Sequence, residues 1–361
     1  MLMRAAVLRN TGDEKLEIVD GVEPNPPGPT DVTVKIEATG VCHSDLHAME
    51  GKLPQGAPFV PGHEGAGIIS AVGDQVTDLK VGDHVVVAWS PPCGQCNNCT
   101  ERNQPHLCVM IQFAIAGLPR FKEGDTDLFG MAGTGTFAEY LTLPQEAAIK
   151  IDDDVPFEIA SLIGCGVSTG VGAAINTAKV QPGSKVVVFG CGGVGISVIQ
   201  GAKVAGASVI VAVDLVEEKL EMAKRFGATH AVKPDDLAAL QAELTGDGFD
   251  YAFEAIGVPA VMRQAYAATR RGGTCCVVGV GAMDQEVAFN GFEIFFNEKN
   301  FTGSYYGSVD VRKDFARFLQ LWKDGELDLD GMISKRMKID DINDAFDAMK
   351  KGEVIRTVIT F

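Results

Sequence analysis

The stretch KVVVFGCGGVG, residues 185–195, decides the fold. Lys185–Phe189 is an apolar, β-branched run of the length of one buried strand. It breaks at Gly190 into G-x-G-x-x-G and passes directly into the amphipathic stretch Val194–Ala205. A strand, a glycine turn and a helix N-terminus in that order make a cradle for a pyrophosphate. Gly190 permits the tight turn and Gly192 lets the phosphates approach the backbone. Gly193 and Val194 open the helix whose N–H groups face the anion, and Gly195 lets that helix pack close to the sheet.

The pattern continues outward from this turn. The next strand, Ser208–Val213, ends at Asp214, about 20 residues on, where a carboxylate accepts from ribose hydroxyls and repels a 2′-phosphate. Leu215 and Val216 follow, not Arg, so the expected coenzyme is NAD and not NADP. Glu217–Phe226 reads as a helix, Tyr251–Ala255 as a strand, Val258–Thr269 as a helix and Thr274–Val280 as a strand. This alternation predicts an α/β fold with a doubly wound parallel sheet of βαβ units. Residues 1 to about 150 are different. Short alternating runs such as Val32–Ile36 and His84–Val87, divided by turn signals, predict a β-rich domain. Val109–Thr136 shows no periodicity and reads as a long ordered loop. Beyond about residue 305 come a helix, Val311–Trp322, and a strand, Val354–Phe361.

Composition narrows the function classes. The 361 residues suffice for two domains, and 46% hydrophobic with 22% charged residues is ordinary for a globular chain. A net charge of −17 argues against nucleic-acid or anionic-membrane partners, which need a basic face. No signal peptide is read at MLMRAAVLRN, and the apolar run Val186–Ile199 is too short to span a bilayer. Nine cysteines in that setting read as metal ligands and buried thiols in a cytoplasmic protein.

Four of those cysteines stand together in CGQCNNCTERNQPHLC: Cys93, Cys96, Cys99 and Cys108. Four thiolates at such spacing match tetrahedral zinc with no open position, which is a structural metal. Three further positions stand out: Cys42 in GVCHSD, His63 in PGHEG and Cys165 in GCG. Two thiolates and one imidazole leave a fourth position for substrate, the arrangement of a catalytic zinc. The residues alone leave this open, since a buried Cys or a hydrogen-bonded His is ordinarily structural.

Taken with these motifs, the chain resembles the zinc-dependent medium-chain alcohol dehydrogenases. The likeness runs through GVCHSDLH, PGHEGAG, the four-cysteine lobe, GCGVSTGVGAAINTA, VFGCGGVG, AVD followed by Lys219, FEAIG, VVGVG and GEVIRTVITF. The resemblance implies a Rossmann-type coenzyme domain at 166–305 and a β-rich GroES-like catalytic domain at 1–165. That domain carries the zinc lobe at about 90–136 and is completed by a return segment, 306–361. It implies two zinc ions per chain: a catalytic one on Cys42, His63 and Cys165, and a structural one on the four lobe cysteines. By the same resemblance Ser44 accepts the substrate proton and His47 passes it to solvent, while Asp45 and Glu64 orient the ligands. His43 and Arg356 face the coenzyme pyrophosphate, Lys219 its adenosine ribose, and Val278 and Val280 the nicotinamide. Trp89, Leu53, Phe137 and Val280 make the substrate channel.

The implied reaction is reversible hydride transfer between NAD and a primary, hydrophobic or aromatic alcohol–aldehyde pair. Two alternatives share the family. One is a thiol-dependent formaldehyde dehydrogenase, although Gln112 and Leu53 stand where its glutathione branch has Arg and an acid. The other is a nicotinoprotein that keeps NAD(H) bound. A zinc-free quinone or enoyl reductase would lack the Cys42/His63/Cys165 set. A polyol dehydrogenase often has an acid as third ligand, and a non-catalytic NAD sensor has no need of Ser44 and His47. One departure concerns the lobe: eight residues separate Cys99 from Cys108 where the family usually has seven. His106 is then a conceivable substitute ligand, and a surface histidine is the preferred reading. A homodimer is expected, with a homotetramer next, through strand edges near 285–303.

Overall fold

The computed structural model describes residues 2–110 and 117–361; Gln112 lies outside the described residues. Two compact units emerge. One comprises the chain up to Gly166 with Asp310–Asp324 and Leu329–Phe361; the other is Val167–Val309 with Gly325–Asp328.

The first unit begins with β1 (Met3–Val7), β2 (Glu17–Pro24), β3 (Asp31–Val41), β4 (Phe59–Val60), β5 (Glu64–Val72) and β6 (His84–Val87). β7 (Pro119–Glu123), β8 (Thr126–Gly130), β9 (Tyr140–Pro144) and β10 (Ala148–Lys150) follow. β7 and β8 form an antiparallel hairpin inside the stretch expected to be a loop. Its pattern is weak because Phe121 and Leu128 are the two side chains it buries completely. In the second unit lie β11 (Lys185–Phe189), β12 (Val209–Val213), β13 (His230–Val232), β14 (Phe249–Glu254), β15 (Thr269–Val277) and β16 (Asn300–Gly303). The chain then returns to the first unit as β17 (Ile333–Lys338) and β18 (Arg356–Thr360).

The first unit holds two sheets, ordered β1-β2-β7-β8-β4 and β10-β6-β5-β3-β18-β17, with β9 also on β3. Val32, Val34 and Ile36 of β3 alternate into a core with Phe59, Phe121, Phe137 and Phe346. The second unit is one parallel sheet ordered β13-β12-β11-β14-β15-β16. Its order reverses between β11 and β14, the switch point at which such sheets bind dinucleotides. The unit also takes Tyr306–Val309 and Gly325–Asp328: Gly307 packs on the Gly172 backbone, and Asp328 N–H donates to Gln200 Oε1 at 2.7 Å.

One helical run, Phe157–Thr177, is long and apolar enough to cross a membrane, but 83% of its most apolar window is buried within the protein. Sequence reading passed over it because Ser, Gly and Thr interrupt its apolar residues.

Candidate active site

Metal-competent groups occur at two places among the described residues. In the lobe, the ligand atoms of Cys93, Cys96, Cys99 and Cys108 lie within 4.8 Å of one another. Cys96 caps the short helix Asn97–Thr100, and the 3₁₀ turn Pro105–Leu107 brings Cys108 back to close the cluster despite the extra residue. Cys93 Sγ accepts from Gln95 N–H at 3.4 Å and Cys96 N–H at 3.3 Å, and Cys108 Sγ accepts from Cys93 N–H at 3.3 Å. Burial opposes ionisation of Cys93, yet those N–H groups bring its thiol down to about 7. Burial and the neighbouring thiols push Cys99 up to about 12. Four sulfurs this close cannot all ionise without a cation among them, and that donor set suits zinc. His106 is half-buried, with Asp314 the charge it senses; the four cysteines form the group without it.

The second group is built by three segments. Cys42 follows β3 directly and caps the helix His43–Met49. His63 precedes β5, Glu64 begins it, and Cys165 sits in the π-helical turn Ile163–Val167. One ligand atom from each lies within 4.8 Å of the rest, and all four residues are buried. Glu64 thus stands within reach of a metal, nearer than a residue that only orients ligands.

Asp45 organises two of these ligands. Its Oδ1 accepts from Gly62 N–H at 3.0 Å and bonds His63 Nδ1 at 2.9 Å, while Oδ2 accepts from Cys42 N–H at 2.9 Å. With Nδ1 so engaged, Nε2 is the nitrogen left for a metal. Burial alone would depress His63, but the Asp45 carboxylate outweighs it and holds the imidazole up to about 10. The Cys42 thiol is pulled well below its ordinary value, first by Cys165 and then, against burial, by His63 and Arg356. Two thiols, an imidazole and a carboxylate, preorganised and buried, fit a zinc ion.

Arg356, on β18, lies against the Glu64 carboxylate and is 5% exposed. Glu64 Oε1 also accepts from Gly166 N–H at 3.1 Å. An added Cβ at Gly40 would collide with Glu64 Oε2, so the pair needs a glycine there. Sequence reading missed Gly40 and Gly166 in this role; the signal was their place beside Cys42 and Cys165 in GVC and GCG.

Ser44 and His47 stand one turn apart on the helix His43–Met49, on one face. Both are half-buried. Burial, then the charges of His43 and Lys52, hold His47 below its usual value. The exposed His43 meets it edge-on at 5.7 Å between ring centroids. The half-buried Trp89 stands edge-on to His63 at 6.4 Å. Leu53 is half-buried against the core, and Phe137 is fully buried with its ring on Phe346, so packing occupies Phe137.

In the other unit, Gly190 adopts φ +91°, and a Cβ there would lie 2.6 Å from Ile256 Cγ1. At Gly195 a Cβ would collide with the Gly190 carbonyl, whereas at Gly192 it would meet nothing within 4 Å. Open space over the middle glycine is what an approaching pyrophosphate requires. The helix Gly193–Val204 begins there. Asp214 braces the turn: Oδ2 accepts from Cys191 N–H at 2.8 Å and Oδ1 from Val216 N–H at 3.0 Å. Lys219 is half-buried, Val278 buried, and Val280 is 47% exposed.

Comparison with known proteins accords with both halves. Residues 28–153 match the family model of the alcohol dehydrogenase GroES-like domain, and residues 193–324 that of the zinc-binding dehydrogenases. An S-(hydroxymethyl)glutathione dehydrogenase of Paracoccus denitrificans is 38% identical, with 100% of both chains covered. A class-3 alcohol dehydrogenase of Caenorhabditis elegans is 39% identical over 95% of this chain and 93% of its own. The crystal structure of benzyl alcohol dehydrogenase from Acinetobacter calcoaceticus superposes with a TM-score of 0.92 at 34% identity, covering 100% of this chain and 99% of that one.

Proposed function

This chain belongs to the zinc-dependent medium-chain alcohol dehydrogenase family and is an oxidoreductase acting on CH–OH donors; we propose that it moves hydride between a hydroxymethyl carbon and NAD. The observation that carries the reading is the group Cys42, His63, Glu64 and Cys165, in which one Asp45 carboxylate holds two ligands in place. When bound, zinc supplies a Lewis acid that acidifies the substrate hydroxyl, and NAD the hydride acceptor. Cys42, His63 and Cys165 hold the catalytic ion, with Arg356 drawing the Glu64 carboxylate towards itself. Cys93, Cys96, Cys99 and Cys108 hold the structural one. Ser44 takes the hydroxyl proton, and His47, one turn further along the same helix face and also half-buried, receives it for release. Gly190, Gly192, Gly193, Val194 and Gly195 bind the pyrophosphate, with Asp214 and Lys219 at the adenosine ribose.

Two substrate classes meet this description. The names of the curated relatives favour the thiol adduct of formaldehyde, whose reacting carbon is also a hydroxymethyl group. The apolar Leu53 and the Trp89 indole beside His63 favour a hydrophobic or aromatic primary alcohol, as does the likeness to the benzyl alcohol enzyme. Reduction of NAD and NADP should be followed with benzyl alcohol, hexanol and ethanol, and with formaldehyde with and without glutathione. Turnover of formaldehyde only with thiol selects the first class. Turnover of benzyl alcohol without thiol selects the second, and no reduction with any of them overturns the proposal. NAD(H) that survives desalting would mark a nicotinoprotein.

We also propose a cytoplasmic homodimer, with a homotetramer as the other outcome. The edge strand β16 and the exposed Phe292 and Phe295 support a partner copy on the coenzyme unit. Light scattering decides between the two states, and a monomer refutes both.

A further inference from the structure

The coenzyme unit contains a buried carboxylate that the reading above leaves unused. Glu254 ends β14, in register with Phe189 of β11 and Val277 of β15. It therefore stands at the point where strand order reverses, between the glycine turn and the segment Val278–Val280. Its side chain is fully buried. Oε1 accepts from three successive N–H groups: Ile256 at 2.9 Å, Gly257 at 2.7 Å and Val258 at 3.4 Å. Its main-chain carbonyl accepts from Val278 N–H at 2.7 Å and Gly279 N–H at 2.9 Å. Burial pushes the carboxyl up, and the three N–H groups oppose that.

Successive N–H groups converging on one point form an anion-binding concavity, filled here by the chain's own side chain. What it fixes is the loop Ala255–Val258. A Cβ on Gly190 would lie 2.6 Å from Ile256 Cγ1; one on Gly257, at φ +90°, would collide with the Val280 carbonyl, and one on Gly279 with Gly257 N. The loop is thus in contact with the glycine turn on one side and with Gly279–Val280 on the other. Between them Ile256, Val258 and Val280 are 45%, 42% and 47% exposed. Three apolar side chains presented to solvent at the switch-point crevice make a surface for a flat ring.

We propose that Glu254 is a positioning residue for the dinucleotide: it holds Ile256–Val258 in place before binding, so that an apolar lip for a coenzyme ring is already formed. The inference rests on the NAD reading. Preorganisation removes an ordering cost that binding would otherwise meet.

Glu254→Asp withdraws the carboxylate from the three N–H groups, and Glu254→Gln keeps one acceptor oxygen among them. On full-length, zinc-loaded protein, NADH affinity is read by fluorescence titration. The expected result is about a tenfold or greater loss for Glu254→Asp, with a matching rise in KM for NAD. Glu254→Gln should recover most of the affinity, and zinc content should not change. Wild-type affinity in Glu254→Asp overturns the inference. If the wild-type protein itself binds neither NADH nor NADPH, the coenzyme reading fails first. Should the variants not fold, hydrogen exchange on the coenzyme-free wild-type protein decides: protected amides at 256–258 support the inference, and exchange at open-loop rates overturns it.

Discussion

Replacing Asp45 by Asn tests how the candidate metal centre is built. The carboxylate is fully buried and serves three donors. An asparagine oxygen can replace Oδ1 for His63 and Gly62. Its NH2 then faces the Cys42 N–H, donor against donor. One charge-assisted hydrogen bond is lost and one buried donor left bare, at a cost of about 1.5–3 kcal/mol. Loss of a residue that orients metal ligands costs about 10–100-fold in metal affinity, or about 1.4–2.7 kcal/mol, so the two routes agree. The assay is competition with a chromophoric chelator at neutral pH, resolved into the fast and slow zinc of each chain. The lobe zinc, bound by another ligand set, is the internal control. The expected result is weakening of one zinc by about 10–100-fold with the other unchanged. Equal midpoints for both zincs in variant and wild type would show that Asp45 does not hold the ligands.

Four further outcomes are expected. Cys108→Ser should lower zinc by one ion per chain by elemental analysis and reduce Tm, with the Cys42 group still loaded. Ser44→Ala should reduce kcat by about 10²–10⁴-fold at normal zinc content; His47→Ala should do less and recover with amine buffers. Gly195→Ala forces a Cβ into the Gly190 carbonyl, and overpacking of that kind costs about 1–3 kcal/mol; Tm and NADH titration should both register it. Asp83→Asn should lower Tm at neutral pH and lose that effect in acid. Burial works against the Asp83 carboxylate, but Lys150 at 2.8 Å and Lys80 N–H at 3.0 Å hold its pKa below the ordinary value. A folded-state pKa lower than the unfolded one gives stability that is present above about pH 3.9 and lost as pH falls through the folded value. A Tm difference that persists in acid would contradict this.

The coenzyme unit was legible because its signals are local. A buried strand, a glycine turn and a helix follow one another within residues 185–205, and period and punctuation suffice to place them. The hairpin at residues 119–130 was not legible, since a half-exposed strand of five residues leaves too few apolar positions to show a period. The four-cysteine lobe could be read from spacing, whereas Cys42, His63 and Cys165 come from segments that the fold alone brings together. Resemblance supplied that set, and it placed Arg356 at the coenzyme pyrophosphate. The structure shows the guanidinium on Glu64, a pairing that depends on β18 lying beside β3 and on glycine at position 40. No local pattern encodes either condition.

The pairing of Thr39 with Ile359 has a consequence for biosynthesis. β3 leaves the ribosome early, yet its neighbour β18 emerges only after every residue of the parallel-sheet unit has been made. Until then one flank of the seven-stranded sheet lacks its partner, and Glu64 lacks the cation that lies against it. Translation therefore delivers the hydride-acceptor half as a nearly contiguous, foldable block, while the metal-binding half waits with an unpaired edge and four free thiols in its lobe. Early capture of zinc by that lobe, whose ligands lie within 16 consecutive residues, would shield those thiols during the wait.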